Sequence, residues 1–417
     1  MPNASAAAHR PTIGIAAFHA LPAIDPSRGG AIGGTETRAW TFARGLAVAG
    51  YDVRFVVRSD GDAFERAVEG VRVIGFRDRW FERYVTVGRA IAKTDRGWRL
   101  RRLSLRLLAA LPLVLWHRAF RLTRQSPTDP TPFFDVNAAD VWLTFGVQQT
   151  SAGVIAACRQ NGRPCAVVLG CDADVDDWFE RQPDRRNEYG DSGAVAAFIL
   201  RNADGRLAQT PWQRDALRSR YGLASEVIRN PIDLDRWRPG DGGDFVLWIG
   251  RAEPIHKRPI EAIEIARLCP DLPFRIVMNP ADPTTAAAVR ARLPANVELV
   301  DFVPPREMPE LMRAARLLLN TSSVEGFPNV FLQAAACEVP IVSQAVLGDW
   351  LRRSGAGVCG GGDRERTAAI VRELRDDASR RSQLGRSGRR FVEQHHALAD
   401  RVAELAAFCK SLHPAGD

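Results

Sequence analysis

Thr321-Ser-Ser-Val-Glu-Gly-Phe-Pro-Asn-Val-Phe-Leu-Gln-Ala-Ala-Ala-Cys337 reads as a strand end, a turn and then a helix. Pro328 suits the first helical position, because its missing N–H is one a helix leaves unpaired anyway. The amides of Gly326, Phe327 and Asn329 would then lie at the positive end of the helix dipole, a ready site for an anion or a sugar hydroxyl. Glu325 sits at the mouth of that turn. Asn329 and Gln333 share a helix face, and Ala334 to Ala336 are small enough for close packing on a sheet. An ordinary capped strand-to-helix loop would look similar, so its neighbours must decide.

Outward from this segment the alternation of strand and helix is unbroken. Upstream lie a strand Phe245 to Ile249, a helix Pro259 to Leu268, strands Phe274 to Val277 and Val297 to Phe302, and a strand Leu317 to Asn320 that feeds the quoted turn. Gly250-Arg251 and then Lys257-Arg258-Pro259 follow the first of these strands, at the carboxyl edge where parallel sheets bind ligands. An Arg fork with a Lys point charge there suits a diphosphate. The stretch Pro239-Gly-Asp-Gly-Gly-Asp244 has linker composition. It divides the chain into an N-terminal α/β domain, 1–238, and a second Rossmann-like domain, 239–395, while 396–417 predicts a helix that packs back on the first domain.

The N-terminal half begins with a strand from Ile13, a Gly- and Pro-rich loop, a helix from Thr35 and a strand Tyr51 to Val57, a right-handed parallel unit. Gly33 and Gly34 allow a ligand close to the backbone, and Glu36 follows them. The spacing matches neither a dinucleotide fingerprint nor a P-loop. After the strand Cys165 to Leu169 comes Cys171-Asp-Ala-Asp-Val-Asp-Asp177. It fails as a calcium loop, having Asp177 where Gly is needed and Pro183 where Glu is needed. An Asp172/Asp174 pair holding Mg or Mn remains an alternative.

Composition narrows the partners. Lys plus Arg total 57 against 49 acids, for a net charge of +8, which favours anionic ligands. Seven cysteines, odd in number and without a Cys-x-x-Cys pair, fit a reducing cytosol better than a disulfide framework. No signal peptide is expected, and the run Leu107 to Trp116 is well short of the roughly 20 residues that span a bilayer. From Arg96 to Arg124 the chain has no acid and interleaves Arg with Leu and Trp. That stretch suits an anionic membrane surface, or a helix pair packed on its domain with a solvated basic face. No zinc-finger, helix-turn-helix or RNA-binding signature appears, so no nucleic-acid partner is expected.

Gly250-Arg251, Lys257, Glu325-Gly-Phe-Pro-Asn329 and the polar Gln333 together resemble the family 4 retaining glycosyltransferases. Gly33-Gly-Thr-Glu36 and Asn230-Pro-Ile-Asp233 extend the resemblance over nearly the whole chain. It implies a GT-B fold, two Rossmann-like domains facing each other across a cleft, and a nucleotide diphosphate sugar as donor with a glycan or lipid-linked acceptor. It places Gly250, Arg251 and Lys257 on the donor diphosphate, Glu325, Gly326, Phe327, Pro328 and Asn329 on the donor sugar, and Gln333 at the ribose. Arg251, Lys257, Glu325 and Asp172 are the candidates for catalysis; Gly33, Gly34, Glu36 and Asp174 form the acceptor-side loops. No metal or other cofactor is expected. The implied setting is the cytoplasm or the inner face of the membrane, in bacterial envelope or polysaccharide synthesis.

Three departures stand out. Gln333 replaces the usual Glu, and an amide offers the ribose a single acceptor oxygen, costing roughly 1 kcal/mol of donor affinity. Leu169-Gly170-Cys171-Asp172 lacks the His many members carry, a place Asp172 or Asp174 would fill. Glu338 stands where Gly is usual. The first two raise a rival reading, a catalytically degenerate sugar-nucleotide binder.

Overall fold

The computed structural model describes residues 10–25, 27, 33–59, 61–94, 97–100, 103–121, 129–131, 135–187, 190–279, 282–323, 327–345 and 349–413. Strands such as Ile13–Ala16 and Val141–Phe145 are buried at every position, so each needs cover on both faces. Their sheet runs, in spatial order, Glu226–Val227, Gly205–Ala208, Cys165–Val168, Val141–Phe145, Ile13–Ala16, Val53–Ser59, Val71–Arg77 and Phe64–Val68. All neighbours pair in parallel except the last, which is antiparallel. One apolar layer gathers around Trp142, Ile155, Leu169 and Ile199, and the other around Ile15, Leu46, Phe55 and Leu143. The chain order reverses between Ile13–Ala16 and Val141–Phe145, so their carboxyl ends flank a crevice.

The second sheet is parallel throughout, in the order Val297–Val300, Phe274–Asn279, Phe245–Arg251, Ala315–Asn320, Ile341–Ser343 and Gly357–Cys359. Numbered within the domain this is 3-2-1-4-5-6, the doubly wound order of dinucleotide-binding sheets, here without their glycine fingerprint. Its switch point lies between Phe245–Arg251 and Ala315–Asn320. Those two strands deliver Arg251 and the segment beginning at Thr321.

Two features tie the halves together. The Ala378–His396 helix ends at a corner where the amide of Ile232 donates to the His396 carbonyl at 2.8 Å and the Leu398 amide to the Ile232 carbonyl at 3.0 Å. Beyond the corner, the Leu398–Leu412 helix sends Val402, Leu405 and Phe408 into the core of the first domain. Gly45 makes room for it, since a side chain there would meet Val402 at 2.5 Å.

The basic stretch is not one continuous helix. Gly97–Leu100 pairs with Ile91–Thr94 as a hairpin, and Leu105–Arg121 is a helix containing Pro112. It packs on the preceding helix, Arg79–Ala90, where Trp80 stacks on His117 at 3.8 Å and Tyr84 Oη lies 3.1 Å from His117 Nδ1. Arg96, Arg101, Arg102 and Arg124 lie outside the described residues.

Candidate active site

The loop after Phe245–Arg251 is wound around one carboxylate. Glu253 accepts from the amides of His256 at 2.7 Å, Ile255 at 2.8 Å and Lys257 at 3.0 Å. Burial works against its ionisation, but these backbone bonds outweigh it and hold the carboxyl below its ordinary range. The loop closes at Arg258, whose φ of 53° is a left-handed conformation unusual for a side-chain-bearing residue, and Pro259 opens the next helix.

A second set of bonds fastens this loop to the neighbouring strand. Thr321 Oγ1 accepts from Trp248 Nε1 at 2.8 Å and approaches the carbonyls of Lys257 and Arg258 at 2.9 and 3.1 Å. Its single hydroxyl proton is shared between those two carbonyls. Ser323 adds two more bonds, its amide to the His256 carbonyl and its hydroxyl to the Ile255 carbonyl. Gly250 is glycine for a local reason: a side chain would strike the Trp248 ring at 2.6 Å. The backbone carrying Arg251 and Lys257 is thereby fixed beside the strand end that leads to the sugar turn, with Arg251 exposed and Lys257 half-buried.

Glu325 and Gly326 lie outside the described residues. Past them, Pro328 caps the Asn329–Ala336 helix instead of opening it. Proline fixes φ but leaves ψ free, and a ψ of 100° keeps Pro328 extended while its carbonyl accepts from the Phe331 amide at 2.9 Å. The open amide of Asn329 is then the first of the helix. Phe327 is held from below by Trp350 and His396, with ring centroids 6.4 and 5.5 Å away. Gln333 is half-buried one turn along, and its side chain makes no hydrogen bond among the described residues.

Facing this turn is the amino end of the Gly34–Val48 helix. Asn329 Nδ2 donates to the Gly34 carbonyl at 3.0 Å, and Asn230 Nδ2 donates to Asn329 Oδ1 at 2.8 Å. Asn230 Oδ1 in turn accepts from Arg38 Nη1 at 2.9 Å, and Arg38 Nη2 donates to the Leu169 carbonyl. One chain of hydrogen bonds therefore crosses between the domains. Arg38 is buried, and desolvation lowers its pKa to about 10, opposed by nearby Asp174 and Cys171. Gly34 must be small, because a Cβ would sit 2.8 Å from Asn329 Nδ2, while Glu36 folds over Gly33.

The acidic loop serves a different purpose from the one its sequence suggests for Asp174. Asp174 is buried and accepts from the Gly170 amide at 2.6 Å and from Cys171 Sγ at 3.7 Å, so it braces the loop and is not open to an acceptor. Burial raises its pKa. Asp172 faces elsewhere, accepting from Gln213 Nε2 at 2.8 Å, and its pKa is raised by burial against that bond. Among the described residues no three His, Cys, Asp or Glu side chains converge as metal ligands.

Sequence reading missed Glu253, Arg38 and His396, and gave Thr321 no role of its own. It also missed a cluster at the carboxyl edge of Ile13–Ala16. There Arg58 pairs with Asp78 at 3.2 Å and lies 4.0 Å over the Phe81 ring, and His19 is 6.0 Å from that ring. Surrounding protein and then the Arg58 cation lower the His19 pKa to about 4, although the imidazole stays open to solvent. Only Glu253 carried a local signal, an acid just ahead of three amides in a tight loop.

Two α/β domains with their sheet edges joined by Asn329 define a GT-B protein. A family profile for Glycosyltransferase Family 4 matches residues 32–236, and one described as glycosyl transferase-like matches residues 257–407. The chain belongs to the family 4 glycosyltransferases. D-inositol 3-phosphate glycosyltransferase 1 of Catenulispora acidiphila is 31% identical over 229 residues, 47% of this chain and 53% of the relative. A D-inositol 3-phosphate glycosyltransferase of Rhodococcus erythropolis is 27% identical over 47% of this chain and 51% of its own length. The chain spans about half the length of these curated relatives. Sucrose-phosphate synthase from Thermosynechococcus elongatus superposes with a TM-score of 0.68 at 17% identity, covering 98% of this chain and all of that one. Anabaena HepE, solved with UDP and glucose, gives 0.67 at 16% identity over 97% of this chain and 100% of that chain. These two similarities show the fold.

Proposed function

We propose that the protein is a retaining glycosyltransferase that moves a sugar from a nucleotide diphosphate sugar to an acceptor hydroxyl in the interdomain cleft. The observation that carries this reading is the bonding of the 253–258 loop to the strand end at Thr321 and Ser323. It brings two cations and a helix amino terminus together at the switch point of the second sheet, where a diphosphate and the attached sugar would lie.

In this mechanism Arg251 and Lys257 stabilise the charge that develops on the leaving diphosphate as its bond to the anomeric carbon breaks. The acceptor oxygen attacks from the same face and its proton passes to the departing phosphate oxygen, so configuration is retained and no enzyme nucleophile is required. Glu325 with the amides of Gly326, Phe327 and Asn329 holds the sugar, and Gln333 faces the ribose. Asp172 stays a candidate for orienting the transferred sugar where the family's loop His is absent. Metal is not part of the scheme, since Asp172 and Asp174 turn to separate partners within the protein. The acceptor is a glycan, a lipid-linked sugar or a small polyol, in envelope or polysaccharide synthesis. The setting is the cytoplasm or the inner membrane face, a reading supported by seven free cysteines, most of them buried.

A panel of UDP-, GDP-, ADP- and dTDP-sugars, with and without chelator, tests the proposal by thermal shift, because a ligand that binds the folded state raises its midpoint. A chelator-resistant rise with one nucleotide, followed by product of retained configuration, is expected. Binding without turnover favours the degenerate reading that Gln333 suggests, and restoration by Gln333→Glu would then identify the cause. A shift abolished by chelator would return the Asp172/Asp174 metal reading.

A further inference from the structure

The Leu105–Arg121 helix is apolar on two sides, one buried against its domain and one exposed. Leu107, Ala110, Val114 and His117 face the domain and are buried. At about 100° per residue, Leu105, Leu108, Leu113, Leu115 and Trp116 fall within an opposite arc of roughly 160°. That arc is solvent-exposed: Leu105 is 85% exposed, Leu115 59% and Trp116 56%. Exposed Arg106 and Arg118 border it on either side. A solvated helix would carry polar residues here, and contiguous exposed apolar surface marks a contact site.

We propose that this face lies on an anionic bilayer surface. Charge selects that occupant over a protein groove or a second copy: no carboxylate occurs from Arg96 to Arg124, so the cations flanking the apolar arc meet no acid from their own segment. Amphipathic helices of this kind bury their apolar arc at the headgroup boundary with cations on phosphates. The helix lies on the membrane and does not cross it, because no helix among the described residues is long and apolar enough to span. Pro112 fits the same depth, since it gives no amide to the Leu108 carbonyl, which the headgroup region can solvate and a hydrocarbon core cannot.

The surface is also linked to the cleft. His117 of this helix stacks on Trp80, the next residue Phe81 stands beside His19, and His19 follows the strand Ile13–Ala16 at its carboxyl edge. Resting on the transferase reading above, this arrangement means the acceptor reaches the cleft from the bilayer, as a lipid-anchored molecule.

Co-sedimentation of the full chain with vesicles tests the surface without needing turnover. Vesicles of phosphatidylcholine alone are compared with vesicles containing about a third phosphatidylglycerol, at low salt. The expected result is clear enrichment on the anionic vesicles, a drop of about fivefold for each of Arg106→Ser and Arg118→Ser, and loss of binding in a Leu105→Ser, Leu115→Ser, Trp116→Ser variant. These positions are exposed, so an unchanged melting midpoint shows that each variant is folded. Equal pelleting with both vesicles, no pelleting, or triple-variant binding like the parent overturns the proposal. A parent that runs as a dimer, and a triple variant that runs as a monomer, would give the face to a second copy instead. Vesicle binding with no donor-induced thermal shift would retain the surface and sink the transferase reading; the reverse pattern would do the opposite.

Discussion

The two sides of the cleft are built by different means. On the second-domain side the bonds stay inside one domain: Glu253 holds amides two to four positions ahead, and Thr321 and Ser323 fasten the same short loop from 63 to 68 positions along the chain. On the first-domain side the contacts are distant. Arg38 reaches Asn230 and Leu169, and Asn329 reaches Gly34 across 295 positions. A side fastened within one domain can carry cations near its surface, because the backbone already positions them. A side made of long-range bonds is also part of what holds the domains together. Substitutions on the first should therefore change rate, and on the second stability.

The largest effect belongs to Arg251→Ala and Lys257→Ala. Each should lower kcat/KM by about 10²–10³, as removal of a preorganised transition-state donor does, with the melting midpoint within a degree or two of the parent. Steady-state kinetics beside calorimetry reads both quantities. A large fall in the midpoint would break the comparison, since it would make the cations structural.

Next comes the corner at His396. Its Nδ1–H donates to the Asn230 carbonyl at 2.8 Å, and its Nε2 accepts from Trp350 Nε1 at 3.1 Å, so the ring is held neutral. Burial lowers its pKa to about 3, partly opposed by the Asn230 bond. The unfolded chain takes up this proton near pH 6.5 and the folded one does not until about 3. Stability from this group is thus complete above pH 6.5 and is lost as pH falls through that window, on the order of 3 kcal/mol by pH 4. Denaturant titrations should show His396→Gln with a flatter acid limb. An identical slope in parent and variant would remove His396 from the hinge.

The Asn329 bridge sharpens the comparison further, since it belongs to both sides. Asn329→Ala should cost about 1 kcal/mol and raise the donor KM more than it lowers kcat. A cycle with Asn230→Ala should show coupling of about 0.5 kcal/mol or more, because the two amides are bonded to each other. Additive losses would mean that the bridge does not operate in solution.

How legible each part was follows the same division. Strand and helix order was readable because buried parallel strands are short apolar runs and the helices between them carry their own punctuation. Gly250, Arg251 and Lys257 stood out as candidates because they share one short loop directly after a strand. Arg38 and His396 were not, since each looks ordinary in its local setting, an Arg in a helix or a His at a helix end. Asp174 misled for a related reason. Acidity at a strand end is visible in sequence, but the direction of the carboxylate is set by the Gly170 amide folding back on it.

The smallest effect tests the departure that sequence could flag but not explain. Glu338 follows the Asn329–Ala336 helix with a φ of 58°, its amide bonded to the Ala335 carbonyl at 3.1 Å and the Val339 amide to the Ala334 carbonyl at 2.9 Å. This is a Schellman ending, and its left-handed position favours glycine, the residue the family usually has there. Gly385 of the Ala378–His396 helix packs against the Glu338 carbonyl, so the turn cannot relax outward without meeting that helix. Glu338→Gly should therefore stabilise the protein by about 0.5–1 kcal/mol and leave donor affinity alone. A lower melting midpoint would show that the Glu338 side chain compensates its own backbone strain.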